Sequence, residues 1–255
     1  MLTIKNYVRV KTLDEAFELN KLKTNWIIGG MMWLRMSDRN VNTAIDLCDL
    51  GLDKIEENDE EFSIGAMVTL RQLEKHEGLN SYSNGIIRDA VKDIVGVQFR
   101  NGATIGGSIW GRFGFSDVLT ALLCMDSYVE LHQGGIVSLE KFVNMPVDND
   151  ILVRVIVKKT PGTFVYSTMR NTKTDFPVIA CALSCMNSTL KATIGARPGR
   201  AMLIKDCSSI DDLIASINSD VKFESNLRGS AEYRKHLAVG LTQRNYDSLK
   251  KSTII

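Results

Sequence analysis

Two segments of the chain place a pair of glycines directly after an apolar run. The first segment comprises Trp26, Ile27, Ile28, Gly29, Gly30, Met31, Met32 and Trp33, and the second comprises Thr104, Ile105, Gly106, Gly107 and Ser108. Because glycine has no Cβ and adopts a positive φ readily, the backbone N–H groups of such a pair can converge on one concavity. Concavities of this kind bind phosphate oxygens. Together the two segments predict a site for the two phosphates of a dinucleotide, with the hydroxyls of Thr104 and Ser108 as further donors.

Each glycine pair also has a simpler interpretation, because Gly-Gly after a strand is typical of an ordinary turn. Neither segment has the G-x-G-x-x-G spacing of a Rossmann fingerprint, and neither has the spacing of a Walker A loop. The dinucleotide interpretation therefore requires that the two segments meet in space.

The cysteines and histidines are not arranged like a metal or redox site. The cysteines are odd in number and scattered, at Cys48, Cys124, Cys181, Cys185 and Cys207, which does not indicate a disulfide framework. Cys181 and Cys185 lie in the apolar stretch PVIACALSCM, and we interpret them as one face of a buried helix. Since the histidines are equally dispersed, we expect no metal centre and name no catalytic side chain.

Composition excludes several classes of protein. The chain has 255 residues, and 31 Lys and Arg against 30 Asp and Glu give a net charge of +1. This balance supplies no global field that would attract nucleic acid or an anionic membrane. No apolar run approaches the roughly 18 residues that a membrane-spanning helix requires. The first residues lack the apolar core of a signal peptide, so we expect a cytoplasmic protein.

Strands and helices in mixed order must position the two glycine segments. The first segment follows a short buried strand at residues 26–28, and the second is interpreted in the same way, as a strand that ends in a turn. Residues 151–159 have the clearest strand pattern. Helices are predicted over residues 12–22, 70–79, 84–95, 118–126, 138–143, 175–187, 208–217 and 230–246. The mixed order favours an α+β fold over a doubly wound parallel sheet, with a domain boundary near residue 160.

Five short motifs occur along the chain. They are IGGMMWLRM at residues 28–36, IGA with TL at 64–70, TIGGSIWGRFGFSD at 104–117, RNTKTDF at 170–176, and LRGS with YR at 227–234. In this order they resemble the FAD-binding (medium) subunit of the molybdenum hydroxylases, the family that contains xanthine dehydrogenase and aerobic carbon monoxide dehydrogenase. The resemblance covers nearly the whole chain.

The resemblance implies an α+β fold with two domains. Residues 1–160 would form a two-subdomain FAD-binding domain of the PCMH or vanillyl-alcohol-oxidase type. Residues 161–255 would form a smaller α+β domain like the C-terminal domain of the CO dehydrogenase flavoprotein. FAD would lie between the two subdomains, with its pyrophosphate between the two glycine segments. By motif position, its further contacts would be Asp117 to a ribose or adenine group, Ile94 beside the cofactor, and Leu152 near the flavin.

The resemblance also implies an oxidoreductase subunit that is active only in a complex. A molybdopterin-binding large subunit would hydroxylate the substrate, and a [2Fe–2S] small subunit would pass the electrons to FAD and on to NAD or another acceptor. The motif RNTKTDFP favours a xanthine dehydrogenase-like complex that oxidises purines. The expected partners include neither nucleic acid nor a membrane.

Two departures from the family's pattern keep other functions open. Met31 and Met32 replace a polar pair, and the bulky stretch WGRFGF at residues 110–115 replaces small residues. A non-catalytic scaffold with a degenerate flavin site is the alternative function. A stand-alone flavin oxidase of the vanillyl-alcohol class would commonly tether FAD through His or Cys, and neither residue lies beside either glycine segment.

Single residues near the predicted site have structural interpretations as well. Trp26 and Trp33 could belong to the core, and Asp117 could cap the helix that follows it. Arg112 is interpreted as a solvated surface charge.

The aromatic residues after the second glycine segment are expected to line the cofactor site. Trp110, Phe113 and Phe115 follow TIGGS too closely for the chain to carry them far away, at about 3.5 Å per residue. They would then crowd the cofactor or the path of the electron acceptor. The alternative is that they pack under the next helix.

Overall fold

The N-terminal part of the chain forms a small parallel sheet. The structure is a computed structural model that describes residues 1–253. The strands are β1 (Thr3–Arg9), β2 (Asn25–Ile28) and β3 (Asn40–Asp46), in the order β1-β3-β2. Helix α1 (Leu13–Asn20) connects β1 to β2 and begins at Thr12, whose side chain accepts from the Glu15 N–H as the capping pattern predicts. The first glycine segment leaves the sheet at the end of β2.

A five-stranded antiparallel sheet follows. Its strands are β4 (Ile55–Glu57), β5 (Glu61–Gly65), β6 (Ser127–Leu131), β7 (Gly135–Ser138) and β8 (Leu152–Lys158), in the order β4-β5-β8-β6-β7. Strand β8, the clearest strand of the sequence, lies at the centre of this sheet. A central position explains its nearly continuous apolar sequence, because both of its faces are covered.

Short helices pack against this sheet and carry the second glycine segment. They are α2 (Leu70–Lys75), α3 (Glu77–Tyr82), α4 (Ile86–Val91), α5 (Val97–Gly102), α6 (Ile105–Trp110), α7 (Asp117–Leu123) and α8 (Leu139–Asn144). Helix α7 is buried along its whole length. Such a helix can hold the chain on either side of it in a fixed position.

The C-terminal part is a four-stranded antiparallel sheet with two helices. The elements are β9 (Gly162–Arg170), β10 (Pro177–Met186), β11 (Thr189–Gly195), β12 (Met202–Cys207), α9 (Ile210–Asp220) and α10 (Ala231–Thr253), with the strand order β12-β11-β10-β9. Helix α10 packs on β9 and β10, whereas α7 packs on β10 and β11. One apolar core joins Ala180 and Ala182 of this sheet to α4 and α7. A domain boundary near residue 160 stays a prediction.

The prediction of a helix over residues 175–187 is wrong, because this stretch forms strand β10. Ala180 packs in the core on the α7 side, whereas Cys181 packs in the core under α10. A strand that is buried on both faces is apolar at every position, so the alternation that identifies a half-buried strand is missing. Cys181 and Cys185 share a face of this strand and not of a helix.

The second glycine segment also differs from its prediction. Residues 105–110 form helix α6, and Thr104 is its N-cap, so the segment is the start of a helix and not the end of a strand. The strand interpretation failed because six residues are too few to show a helical period. Among residues 1–253, the structure contains no helix that is both long and apolar enough to cross a membrane.

Candidate functional site

A cavity of about 920 Å³ lies between the parallel sheet, the helices after β5 and the start of the C-terminal sheet. The two glycine segments form adjoining parts of its wall. A Cβ on Gly30 would lie 1.5 Å from the carbonyl oxygen of Gly102, and a Cβ on Gly29 would lie 2.6 Å from Oγ1 of Thr104. The first segment therefore lies as close to Gly102 and to the Thr104 side chain as glycine permits. The volume is at the upper end of the range of about 300–1,000 Å³ that small-molecule sites occupy.

The glycines act through the absence of a side chain. None of Gly29, Gly30, Gly106 and Gly107 has a positive φ. The part of the prediction that invoked a positive φ is wrong, and the close approach of backbone to backbone is the reason that the structure gives. Met31 adopts the left-handed conformation instead, with a φ of 56°, which is uncommon for a residue that has a side chain.

The first glycine segment has free backbone donors. The N–H groups of residues 30–33 have no hydrogen-bond acceptor among the residues that the structure describes. Two of the segment's carbonyl groups are used, since Met31 accepts from the Arg35 N–H at 3.1 Å and Trp33 accepts from the Met36 N–H at 3.0 Å. Successive unpaired N–H groups form a binding concavity for an anion.

The second glycine segment uses its donors within the chain. Oγ1 of Thr104 accepts from the Gly107 N–H at 3.2 Å and thereby caps α6. The Ser108 N–H donates to the Thr104 carbonyl at 3.2 Å, and the Ser108 hydroxyl donates to the same carbonyl at 3.0 Å. The hydroxyl proton of Ser108 is therefore already engaged.

The remaining donors of this segment attach it to the turn after β5. The N–H groups of Ile105 and Gly106 donate to the carbonyls of Val68 and Ala66, both at 2.8 Å. A Cβ on Gly106 would lie 2.6 Å from the Ala66 carbonyl oxygen, so only glycine allows this contact. The second segment is thus held rigidly beside the first one.

All but one of the residues predicted to bind the cofactor line the cavity. The lining residues are Trp26, Ile27, Ile28, Gly29, Gly30, Met31, Met32, Trp33, Ile94, Thr104, Gly106, Gly107, Ser108, Asp117 and Leu152. Ile105 does not line it, because its side chain is 0 % exposed in the core beneath α6. The contacts of these residues with a cofactor stay a prediction.

The two tryptophans of the first segment belong to the cavity wall. The guanidinium carbon of Arg39 lies 4.5 Å from the centre of the Trp26 ring. Trp33 is 42 % exposed, is stacked on Phe176 and meets Phe99 edge-on, with ring centres 5.3 Å apart in both pairs. The interpretation of Trp33 as a core residue is therefore wrong.

Asp117 forms a buried ionic network at the edge of the cavity. It is 4 % exposed, and its carboxylate accepts from Arg170 at 2.7 Å and from the Tyr166 hydroxyl. Burial and the Asp117 charge raise the pKa of Tyr166 well above its ordinary value, which keeps this hydroxyl a donor. Asp117 does not cap α7, because Ser116 is the N-cap and accepts from the Leu119 N–H.

The aromatic residues after α6 divide between the cavity and the core. Trp110, Phe113 and Phe115 all line the cavity. Phe113 is stacked on Phe115 with ring centres 5.3 Å apart, whereas Trp110 is partly buried and packs against Phe142 at 5.9 Å. All three rings therefore face the cavity, and Trp110 also has the packing role that was the alternative. Their crowding of a cofactor stays a prediction.

Residues 2–159 match a protein family described as the FAD binding domain in molybdopterin dehydrogenase. The chain belongs to this family. A protein of Escherichia coli K12 called uncharacterized protein YgfM is 23% identical over an alignment of 243 residues, which covers 92% of this chain and 92% of that protein.

Solved structures agree with the FAD-binding family in fold. The chain is similar to one chain of the Cu,Mo-CO dehydrogenase, with a TM-score of 0.87, 21% identity and coverage of 98% of this chain and 99% of that chain. It is also similar to a chain of quinoline 2-oxidoreductase from Pseudomonas putida 86, with a TM-score of 0.84, 17% identity and coverage of 99% of both chains. The mixed α and β fold class and the resemblance stated from the motifs are confirmed.

Sequence reasoning missed several cavity residues of this FAD-binding family member. They include Arg39, Phe99, Asn149, Arg170 and Phe176. Arg170 and Phe176 belong to a motif that was seen in the sequence but was assigned to the start of the C-terminal domain. No local pattern indicates that a residue after 160 reaches a cavity beside residues 26–33, because that proximity arises only from the packing of the C-terminal sheet on α7.

Proposed function

We propose that this chain binds FAD in the cavity described above and is the flavoprotein subunit of a molybdenum hydroxylase complex. The observation that carries the proposal is the run of unpaired N–H groups at residues 30–33, on the wall of a cavity of about 920 Å³ in a chain of this family. A dinucleotide requires donors for its pyrophosphate and apolar surface for its ring system. Both are present here.

Different residues of the two glycine segments would have different roles in binding the pyrophosphate of FAD. The N–H groups of residues 30–33 would donate to the pyrophosphate, because they have no other acceptor. Thr104, whose Oγ1 accepts from the Gly107 N–H, would donate its hydroxyl proton to the pyrophosphate, whereas the Ser108 hydroxyl already donates to the Thr104 carbonyl. Gly107 would leave room for a phosphate, since a Cβ there would meet Oγ1 of Thr104 at 3.4 Å. Ile105 would act only by supporting α6 from below.

The other predicted contacts lie along the same cavity. Leu152 and Ile94 would contact the cofactor with apolar surface, and Trp26 with Arg39 would offer a cationic and aromatic wall. Asp117 would reach a ribose or adenine group only by sharing its carboxylate with Arg170.

FAD, when bound, supplies the chemistry of accepting electrons from the [2Fe–2S] clusters of a partner subunit and of delivering them to NAD or another acceptor. The protein supplies binding and the exclusion of water. Trp33, Phe113 and Phe115 cover the cavity with aromatic surface, although each of them is still at least one-third exposed. Such half-covered rings fit a site that stays accessible to an electron acceptor.

We propose a molybdopterin-binding large subunit and a [2Fe–2S] small subunit as the partners. The similarity to a chain of the Cu,Mo-CO dehydrogenase supports this proposal. Two exposed apolar side chains, Val95 and Val147, also line the cavity. The RNTKTDFP motif remains the reason to propose a xanthine dehydrogenase-like complex with NAD as acceptor.

The second candidate function is a scaffold without flavin. It is favoured by Met31 and Met32, whose thioether side chains line the cavity where the family has polar residues. Met32 also fills space beside Gly102, where a Cβ would meet its terminal methyl group at 2.2 Å. This candidate predicts a folded chain that carries no cofactor.

An absorbance spectrum of the purified chain distinguishes the two functions. Flavin bands that are released by acid, at one FAD per chain, support the flavoprotein. A folded chain without bands, and without binding of added FAD, contradicts it and favours the scaffold.

The isolated chain with FAD should also transfer electrons from NADH to a dye but hydroxylate no purine. Purine hydroxylation by this chain alone would contradict the subunit model.

A further inference from the structure

A second cavity, of about 480 Å³, lies where the stretch after α6 meets the C-terminal sheet. We call it the arginine pocket, because four of its lining residues are Arg112, Arg200, Arg228 and Arg234. No carboxylate is among the described residues that line it. This accumulation of positive charge contrasts with the nearly neutral chain as a whole, which has a net charge of +1.

Arg112 is the most unusual member of the pocket. It is 5 % exposed, so its interpretation as a solvated surface charge is wrong. Its guanidinium carbon lies 4.0 Å from the centre of the Phe142 ring, and its Nε and Nη1 are buried without a hydrogen-bond partner among the described residues. Its φ of 46° is a left-handed conformation. Such conformations in residues with a side chain cluster at functional sites.

The charge of Arg112 is poorly compensated. Burial and the nearby Arg200 both lower the pKa of Arg112, and the only opposing charge that acts on it, Asp148, does so from a distance without a hydrogen bond. A guanidinium remains charged in a protein regardless of such a shift. Burial is the larger cause of the lowered pKa and the charge of Arg200 the smaller one, and a bound anion would offset both.

Arg234 is a second buried cation without a carboxylate partner. It is 1 % exposed, and it donates to the Ala196 carbonyl at 2.6 Å, to the Val178 carbonyl and to the Asn226 side chain. These acceptors satisfy its hydrogen bonds but carry no net charge. Burial lowers the pKa of Arg234, and the charge of the neighbouring Arg228 lowers it further.

The two remaining arginines are more accessible and only one of them has an ionic partner. Arg228 donates to Asp175 at 3.2 Å, lies over the Phe176 ring at 4.9 Å, and keeps a buried Nε without a partner. Arg200 is exposed and donates to the Val143 carbonyl at 2.7 Å. Within residues 1–253, the four guanidinium groups at this pocket thus have one ion pair in total, the pair of Arg228 with Asp175.

We propose that the arginine pocket binds a phosphate group of a small-molecule ligand. Buried charges are normally paired, because an isolated ion pays a large desolvation penalty. Guanidinium groups match phosphate oxygens with paired N–H donors. A phosphate fits better than a single carboxylate, because its charge approaches two and three of the four arginines lack an ionic partner.

The arginine pocket is distinct from the cavity of about 920 Å³ beside the glycine segments, which we call the flavin cavity. The two share a wall of Phe113, Phe115 and Phe176, but none of the four arginines lines the flavin cavity. Phosphate binding here does not depend on whether FAD binds there. The proposal therefore stands or fails separately from the proposed function.

Isothermal titration of the purified full chain with inorganic phosphate and with pyrophosphate, at constant ionic strength, tests the proposal. Arg200→Gln removes an exposed arginine and should fold normally, and Arg112→Gln removes the buried one. Each variant should bind the anion about tenfold more weakly, since a charge-assisted hydrogen bond contributes about that factor or more. The matched control is Arg244→Gln, an exposed arginine on α10 outside the pocket, which should leave binding unchanged.

The outcomes separate the possibilities. Equal affinities of Arg200→Gln and the unaltered chain, or the same weakening in Arg244→Gln, overturn the proposal, as does an absence of binding at millimolar phosphate and pyrophosphate. Titration with NADH identifies the source of the phosphate, since a weakened NADH affinity in Arg200→Gln assigns the pocket to a dinucleotide and an unchanged one assigns it to a free phosphate. Flavin absorbance of every variant shows whether the flavin cavity is intact.

Discussion

The two glycine segments have similar sequences but different roles in the structure. The first segment keeps the N–H groups of residues 30–33 free, whereas the second uses the N–H groups of residues 105–108 for its own helix and for the turn after β5. The glycines of the first segment allow it to lie on Gly102, and Gly106 allows α6 to lie on Ala66. The first segment is thus a set of donors, and the second is a rigid support with a small exposed surface.

The difference teaches that one glycine pair can serve both packing and binding. The distance from an added Cβ to its nearest atoms shows which of these roles a given glycine has. A Cβ would collide with backbone at Gly30 and Gly106, but it would meet only a hydroxyl at 3.4 Å at Gly107. Substitutions at these positions should therefore separate the cost to stability from the cost to cofactor binding.

The largest effect is expected for Gly30→Ala. Its Cβ would lie 1.5 Å from the Gly102 carbonyl oxygen, so one backbone segment has to move. The free energy of unfolding should fall by about 3 kcal/mol or more, the upper end of overpacking effects. Urea denaturation measures it. Gly107→Ala is the control and should change stability by less than about 1 kcal/mol. Equal losses in both variants would show that the distance from an added Cβ to its neighbours does not separate the packing glycines from the others.

The second effect concerns Gly107→Val, which should remove FAD while the chain stays folded. The valine side chain would project where a phosphate has to approach, and the only close neighbour of its Cβ is Oγ1 of Thr104. We expect at least a tenfold loss of FAD affinity, about 1.4 kcal/mol, measured by flavin absorbance after gel filtration.

The control for that variant is Gly240→Val, since Gly240 is also in a helix and, apart from the backbone of its own helix, no atom of the described residues lies within 4 Å of its added Cβ. It should keep its flavin. Stoichiometric FAD in folded Gly107→Val would contradict the pyrophosphate role of the second segment.

A smaller effect is expected for Thr104→Val, which removes the N-cap of α6. Loss of a threonine cap lowers the free energy of unfolding by about 1 kcal/mol. Because the second segment would then be a less rigid support for the first one, the affinity for FAD should fall modestly. Thr104→Ser retains the hydroxyl and should retain both properties. Ser209→Ala removes the cap of α9, which is not part of the cavity wall, so it should reduce stability by a similar amount without any loss of flavin.

The smallest effect is expected for Phe113→Ala, beyond the end of α6. Phe113 is stacked on Phe115 at the cavity and is 45 % exposed, so its loss should cost little stability. The variant should bind FAD more weakly by a factor of less than ten, since an aromatic contact contributes about 1 kcal/mol. Oxygen should reoxidise the reduced protein faster.

Trp110→Ala should instead reduce stability, because Trp110 packs on Phe142. If FAD affinity and reoxidation rate are unchanged in both variants, these rings serve ordinary packing.

Much of the fold could be predicted because the local signals are strong. The caps at Thr12 and Ser209 mark the starts of their helices, and the apolar pattern marks β2 and β8. The prediction failed at β10, where burial on both faces removes the alternation. It also failed at α6, which is too short to show a period.

The sequence by itself determined the family, the elements with strong local signals such as α1, β8 and α9, and the positions of the two glycine segments, since these depend on residue types and spacings that are fixed along the chain. Only the tertiary structure decided which backbone donors remain free at residues 30–33, and that Arg112 is buried beside Arg200. Whether an N–H group or a charge finds a partner depends on what packs against it from distant parts of the chain. For both features the surroundings are set by folding and not by the adjacent residues.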